Sequence, residues 1–259
     1  MRARRASIST RSAGSHDRPS PSGAAGARTV KLLAFDTAAA ACSAAVWVDG
    51  TVAAHRFAAM RRGHAEALLP MLRAAMADAG LGFEALDAVA TTVGPGAFTG
   101  LRIGLSAARA IGLAAGIPVF GIGTLEAVAA AVQPRAGGRT ILVALETQRA
   151  EVYAQVFDSS GAAIGPAVAD TVEAVADRSP AGAVGVAGDA AERMAAALRS
   201  RRPGIDLVLL DGADAPDAVA VAELAARRVA AGLPPPDAPP PAPIYLRPPS
   251  VTLAGKAPG

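Results

Sequence analysis

The chain opens the same way twice. Residues 31–37 form an apolar run that ends in an acid and a hydroxyl, Asp36 and Thr37. Residues 140–147 repeat the pattern and end in Glu146 and Thr147. After the first run, residues 42–48 read as a strand, Asp49-Gly50 as a hairpin turn and residues 52–57 as the returning strand. After the second, residues 151–157 alternate as a strand and 158–161 make the turn. Helices and further strands follow each copy, which predicts a duplicated α/β unit with a ligand crevice between its halves. An acid at the tip of a first strand is how several nucleotide-binding folds bring a carboxylate near a phosphate-bound metal. Asp36 and Thr37 serve equally well as turn-formers that bond their own backbone.

Between the copies, residues 88–93 read as a strand that Gly94, Pro95 and Gly96 break. Thr99 then stands where an N-cap begins a helix over 99–115. The first-turn N–H groups of a helix lack internal partners, so such a junction attracts an anion or a carbonyl. Glycine on the approach lets a ligand, or another backbone, come close. The alternative is a tight strand-to-helix turn that binds nothing. The loop is not the G-x-x-x-x-G-K-[ST] phosphate loop, because no lysine follows and only Arg102 supplies charge.

Two helices carry more apolar surface than one buried face needs. The first, over 64–79, places Leu68, Leu69, Leu72, Met76 and Ala79 together, with Pro70 either kinking it or marking a late start. The second sets Gly104, Ala108 and Gly112 four apart, a flat stripe for close helix packing. That stripe serves either a protein–protein interface or packing on the chain's own sheet. Further on come a strand at 117–121, a helix at 124–132, a linker at 134–138, a strand at 183–187 and a helix at 190–200. A strand at 207–210 and a helix at 217–231 complete the second half. The proline-rich stretch 234–243 is extended and returns Tyr245 and Leu246 to the body. The organisation expected is a basic tail over 1–29, halves over 30–134 and 139–232, and a C-terminal segment over 233–259.

Composition excludes several functions. The net charge is +3 and the pI about 9.6, yet Arg2, Arg4, Arg5, Arg11, Arg18 and Arg28 face only Asp17 in the tail. The rest is mildly acidic and the chain is 3% aromatic, which disfavours nucleic-acid binding by the chain alone. Cys42 is the single cysteine, so no internal disulfide forms and a reducing compartment is expected. Arg109 interrupts the longest apolar stretch, which argues against a membrane span. The location expected is cytoplasmic, or organellar if the arginine-rich residues 1–28 are a transit peptide. The other reading of the tail is an extension upstream of a natural start at Val30. His16, His55 and His64 make no H-E-x-x-H or other close pair, no G-x-S-x-G is present, and Ser43 has no visible base. No metal site and no catalytic residue are expected.

The stretches DTAAAACSAAVWVDG, GHAEALLPML, VGPGAFTGLRIGLSAARAIGLAAGIPVFGIGTLEA, ETQRAEVYAQVF and PAPIYLRPP, in that order, resemble the TsaB (YeaZ) family over residues 30–249. The resemblance implies duplicated ribonuclease-H-like halves of the actin/Hsp70-type ATPase superfamily. It also implies a non-catalytic subunit for threonylcarbamoyl transfer to N6 of adenosine 37 in tRNA. That subunit pairs with a TsaD-type catalytic paralogue, is joined by a TsaE-type ATPase, meets tRNA only through the complex, and forms a homodimer when alone. In the family the paired helices form the paralogue interface, which matches His64, Leu68, Leu69, Leu72, Gly104, Ala108 and Gly112. Asp36, Thr37, Gly94, Gly96, Thr99 and Gly100 match places where related folds hold nucleotide, so ATP or ADP is expected, if anywhere, at or near the complex interface. Ala150 stands where the family usually has glycine and Glu146 where it has aspartate, which weakens that side of any nucleotide site. The alternatives are an independent ATP-dependent transferase or kinase of the same superfamily and, more remotely, a peptidase.

Overall fold

The computed structural model describes residues 29–147, 149–234 and 238–247. The basic tail therefore lies outside the described residues, apart from Thr29. The first half is a five-stranded sheet built from β1 (Lys31–Asp36), β2 (Ala41–Val48), β3 (Thr51–Ala59), β4 (Ala88–Gly94) and β5 (Val119–Gly123). Its order is β3-β2-β1-β4-β5, with β2 antiparallel to its neighbours and β4 parallel to β1 and β5. The second sheet comprises β6 (Thr140–Glu146), β7 (Glu151–Phe157), β8 (Val168–Thr171), β9 (Val184–Ala187) and β10 (Leu207–Leu209). Its order, β10-β9-β6-β7-β8, reproduces the same directions and connections. The duplication expected from the two acid-ended runs is thus a pair of ribonuclease-H-like sheets.

β1 and β6 sit in the middle of their sheets because both faces of each are covered, which is why both read as unbroken apolar runs. Side chains alternate between the two faces. Leu33 and Phe35 point toward α1 (His64–Asp78) and α2 (Phe98–Ala115), where they pack with Leu68, Leu72, Met76 and Ala108. Leu32 and Ala34 point the other way, against Val221, Ala222 and Ala225 of α6 (Ala218–Ala231). In the second sheet Ile141 and Val143 meet Leu125, Val128 and Val132 of α3 (Thr124–Val132). Leu142 and Ala144 meet α4 (Val172–Arg178) and α5 (Ala191–Arg201) through Val175, Met194 and Leu198.

These pairings cross between the halves. α6 comes late in the chain but covers the first sheet, and α3, which precedes the linker, covers the second sheet while placing Ala127 against the first. Arg228 of α6 joins the two, donating to the carbonyl of Gly121 and to both carboxylate oxygens of Glu126 at 2.8 Å. Several local expectations also shift. α2 starts at Phe98 with Ala97 as N-cap and no side-chain cap, so Thr99 lies inside the first turn. α1 runs from His64 with Pro70 within it, which rules out a late start. β8 and the seven-residue α4 went unread, being too short to show a period, although Thr171 caps α4 by accepting from the Ala174 N–H.

Candidate functional site

Asp36 ends β1 fully buried. One carboxylate oxygen accepts from the backbone N–H of Ala38 at 3.1 Å and from the Thr92 hydroxyl; the other has no hydrogen-bond partner. Burial pushes this carboxyl up to about 7, with the negative charge of Asp217 adding to the rise and the Thr92 and Ala38 hydrogen bonds opposing it. Ser43 lies opposite Asp36 in the β1–β2 register, and its hydroxyl accepts from the N–H of Ala218, the first residue of α6. Asp217 caps that helix, accepting from Val219, and pairs with His55 of β3 at 3.0 Å. The start of α6 therefore lies beside the acid, on the same face of the sheet as Leu32 and Ala34.

Thr37 is also buried, and its hydroxyl donates to the carbonyl of Gly100 at 2.8 Å. The Ala97 N–H donates to the carbonyl of Ala38 at 2.8 Å. The β1–β2 turn thus rests directly on the start of α2. A Cβ on Gly100 would fall 2.0 Å from the Thr37 carbonyl oxygen, and one on Gly96 would fall 2.6 Å from that of Ala38. The loop's glycines admit the chain's own backbone, the second of the two approaches glycine allows. Gly94 likewise lies against the backbone of Ile244. Of the six residues expected to hold nucleotide, Thr99 alone is exposed. The Cβ positions of Gly96 and Gly100 are thus taken up by the backbone of Ala38 and Thr37.

The second strand tip is built differently. Glu146 is exposed and pairs with Arg193 at 2.9 Å, while Arg193 also donates to the carbonyl of Ala150. The Glu146 N–H donates to Asp189, whose carboxyl burial holds above the usual range. Asp189 borders an acidic cavity of about 350 Å³ with Glu192, Asp211 and Asp214. No group of three or more His, Cys, Asp or Glu among the described residues could hold a metal ion.

The residues expected at a partner interface separate into two sets. Leu68 and Leu72 are buried in the first core, and Gly104, Ala108 and Gly112 are buried beneath α2. A Cβ on Gly104 would lie 2.8 Å from the Thr37 hydroxyl, and one on Gly112 would lie 2.5 Å from Val119. The small-residue stripe therefore seats α2 on its own sheet, and these five cannot meet a partner. His64 is half-buried, with Nε2 3.2 Å from the carbonyl oxygens of Ala39 and Ala41, so it anchors α1 to the β1–β2 turn. Leu69 alone is openly exposed, at 53%. Sequence reasoning also missed Leu113, on the far side of α2 from α1, which is 87% exposed. Beside Leu69 an apolar groove of about 370 Å³ runs between the helices, lined by Leu69, Arg73 and Phe83 on one side and by Ile111, Ala114 and Ala115 of α2 on the other. The signal was available: Leu69 and Leu113 each stand one step, about 100° of helix, from the buried positions Leu68 and Gly112.

The family model for TsaD, tRNA N6-adenosine threonylcarbamoyltransferase, matches residues 54–227, more than half of the chain. The tRNA threonylcarbamoyladenosine biosynthesis protein TsaB of Escherichia coli (strain K12) is 39% identical over 124 residues, 48% of this chain and 53% of that protein. The crystal structure of YeaZ from Pseudomonas aeruginosa superposes with a TM-score of 0.72 at 29% identity, covering 84% of this chain and all of that one. The chain belongs to the TsaB/YeaZ family. An uncharacterized protein of Mycobacterium tuberculosis (strain ATCC 25618 / H37Rv) is 42% identical over 162 residues, 61% of this chain and 71% of its own. The match spans about half the length of the E. coli TsaB protein. Among the described residues, no helix of this TsaB/YeaZ member is long and apolar enough to cross a membrane.

Proposed function

We propose that this chain is a docking subunit in tRNA threonylcarbamoyladenosine biosynthesis. It pairs with a TsaD-type catalytic paralogue through the outer face of α1 and α2 and activates it, while the paralogue supplies the reactive centre. The TsaE-type ATPase and the tRNA meet the assembled pair, and any ATP or ADP binds at or near its interface. The observation that carries this reading is the open apolar groove between Leu69 of α1 and Ile111, Ala114 and Ala115 of α2, beside a β4–α2 loop whose glycines already seat the chain's own backbone. The match of a TsaD family model to residues 54–227 supports a partner of related build, able to offer an equivalent helix pair. Burying one exposed leucine stabilises by about 1.5–3 kcal/mol, so Leu69 at the centre of an interface supplies a substantial share of an affinity.

The test is co-purification with the TsaD-type paralogue, followed by threonylcarbamoyl transfer to tRNA with and without this chain. L69E combined with A114E should weaken pairing by at least about 100-fold and abolish the stimulation, with the melting temperature held within a few degrees. Undiminished pairing by the double variant would remove the proposal. ATP turnover by the chain alone, lost in D36N, would replace it with an independent transferase.

A further inference from the structure

The C-terminal residues 241–247 lie in a seat shaped for them. Pro241 rests on Gly121 of β5, where a Cβ would fall 2.8 Å from the proline's own Cβ, and its carbonyl accepts from Arg109 of α2 at 2.6 Å. The Ile244 N–H donates to the carbonyl of Val93 at 2.7 Å, and the Ile244 carbonyl oxygen would stand 2.5 Å from a Cβ on Gly94. Gly94 also holds φ +114°, a conformation other residues avoid. Tyr245 places its ring 5.2 Å from that of Phe98, and its hydroxyl accepts from Arg102, whose guanidinium stacks 3.8 Å above Phe98. All of these partners belong to the first half. The last described residue, Arg247, reaches the second half instead and pairs with Glu151, the first residue of β7. Its charge also acts on Asp170 of the neighbouring β8.

We infer that residues 241–247 are an intramolecular clasp: seated on Gly94 and Gly121 of the first half and fastened to the second by Arg247 and Glu151, they fix the angle between the two sheets at their strand tips. The halves are otherwise joined through α3 and α6. A second attachment near the ends of β4 and β6 restrains rotation about that first one. The clasp also gives Gly94 a role within the chain, as the point where Ile244 passes.

The inference is tested in the full chain with spin labels at T51C in the first half and S200C in the second, both exposed positions, in a C42A background. Amide exchange of Ile244 is followed alongside. The native clasp should give one narrow distance distribution. R247A and E151A should each broaden it and speed Ile244 exchange at least tenfold, and the double variant should do no more than either single one. Circular dichroism and the exchange of β1 amides report whether each variant keeps its fold. A folded R247A with a distribution as narrow as the native one would overturn the clasp, whatever Ile244 does. Additive effects in the double variant would overturn the Arg247–Glu151 fastening.

Discussion

Asp36→Asn should melt above the native chain at pH 8 and below it at pH 4. The native carboxyl titrates at about 7 against an ordinary 3.8. Below about pH 3 both the folded and the unfolded chain hold this proton. As pH rises from there toward 7, only the folded state keeps the proton, so this group's contribution to stability falls steadily. Above 7 the folded chain carries a buried carboxylate with one oxygen unpartnered, and the loss is complete. Three units of separation set that loss at about 4 kcal/mol as an upper bound. Asparagine stays neutral throughout, and its carbonyl can still accept from Ala38 and Thr92. Its amide group inherits the place of the unpartnered oxygen, which costs about 1–3 kcal/mol. The net gain at pH 8 is about 2 kcal/mol, or roughly 4–8 °C in a chain of this size. Calorimetric melts of both proteins from pH 4 to pH 8 measure it, and parallel curves would refute the assignment. Because the difference between variant and native chain is read, the acids that ion pairs hold low, Glu151 and Asp170, cancel.

Leu72→Glu should fail to yield folded protein, while Leu113→Glu leaves folding intact. Both leucines sit on helices of the proposed docking face, but Leu72 is fully buried among Phe35, Leu68 and Met76. Deleting a buried leucine side chain costs about 2–5 kcal/mol, and placing an unpaired carboxylate in that space costs several more. The total rivals the whole stability of an ordinary domain, about 5–15 kcal/mol. Leu113 projects into solvent, where a surface substitution changes stability by about 0.5 kcal/mol or less. Circular dichroism and soluble yield distinguish the two. A folded Leu72→Glu chain would mean that the first core is far more accommodating than its packing implies.

Much of this architecture was legible because strand tips announce themselves. Lys31 to Asp36 and Thr140 to Glu146 are apolar runs of strand length stopped by an acid, and two such openings in one chain leave few folds open. The C-terminal return was legible too, since a proline-rich approach cannot be helical and Tyr245 needs a partner. The covering of the sheets was not. The apolar face of α6 shows that Val221, Ala222 and Ala225 are buried, but periodicity carries no information about which sheet they meet. The site suffered from the same limit at finer scale. Gly96 and Gly100 signal a close approach, and only the structure shows that the approaching group is the carbonyl of Ala38 or Thr37. Gly104, Ala108 and Gly112 likewise announce close packing without saying whether the neighbour lies inside or outside the molecule. Leu68 and Leu69 differ by one position, and that step separates core from surface.

The exchange of α3 and α6 between the halves bears on how the protein is made. A nascent chain that has emerged only as far as the linker has α1 and α2 to cover one face of its first sheet, and only Ala127 of α3 against Leu32, Ala34 and Ala90 on the other. The rest of that covering waits until α6, the last regular element among the described residues, leaves the ribosome. The first half then closes last, with the long sequence separation that slows folding and leaves intermediates prone to aggregation. Neither half expressed alone should be well behaved, because each gene fragment would encode the lid of the other.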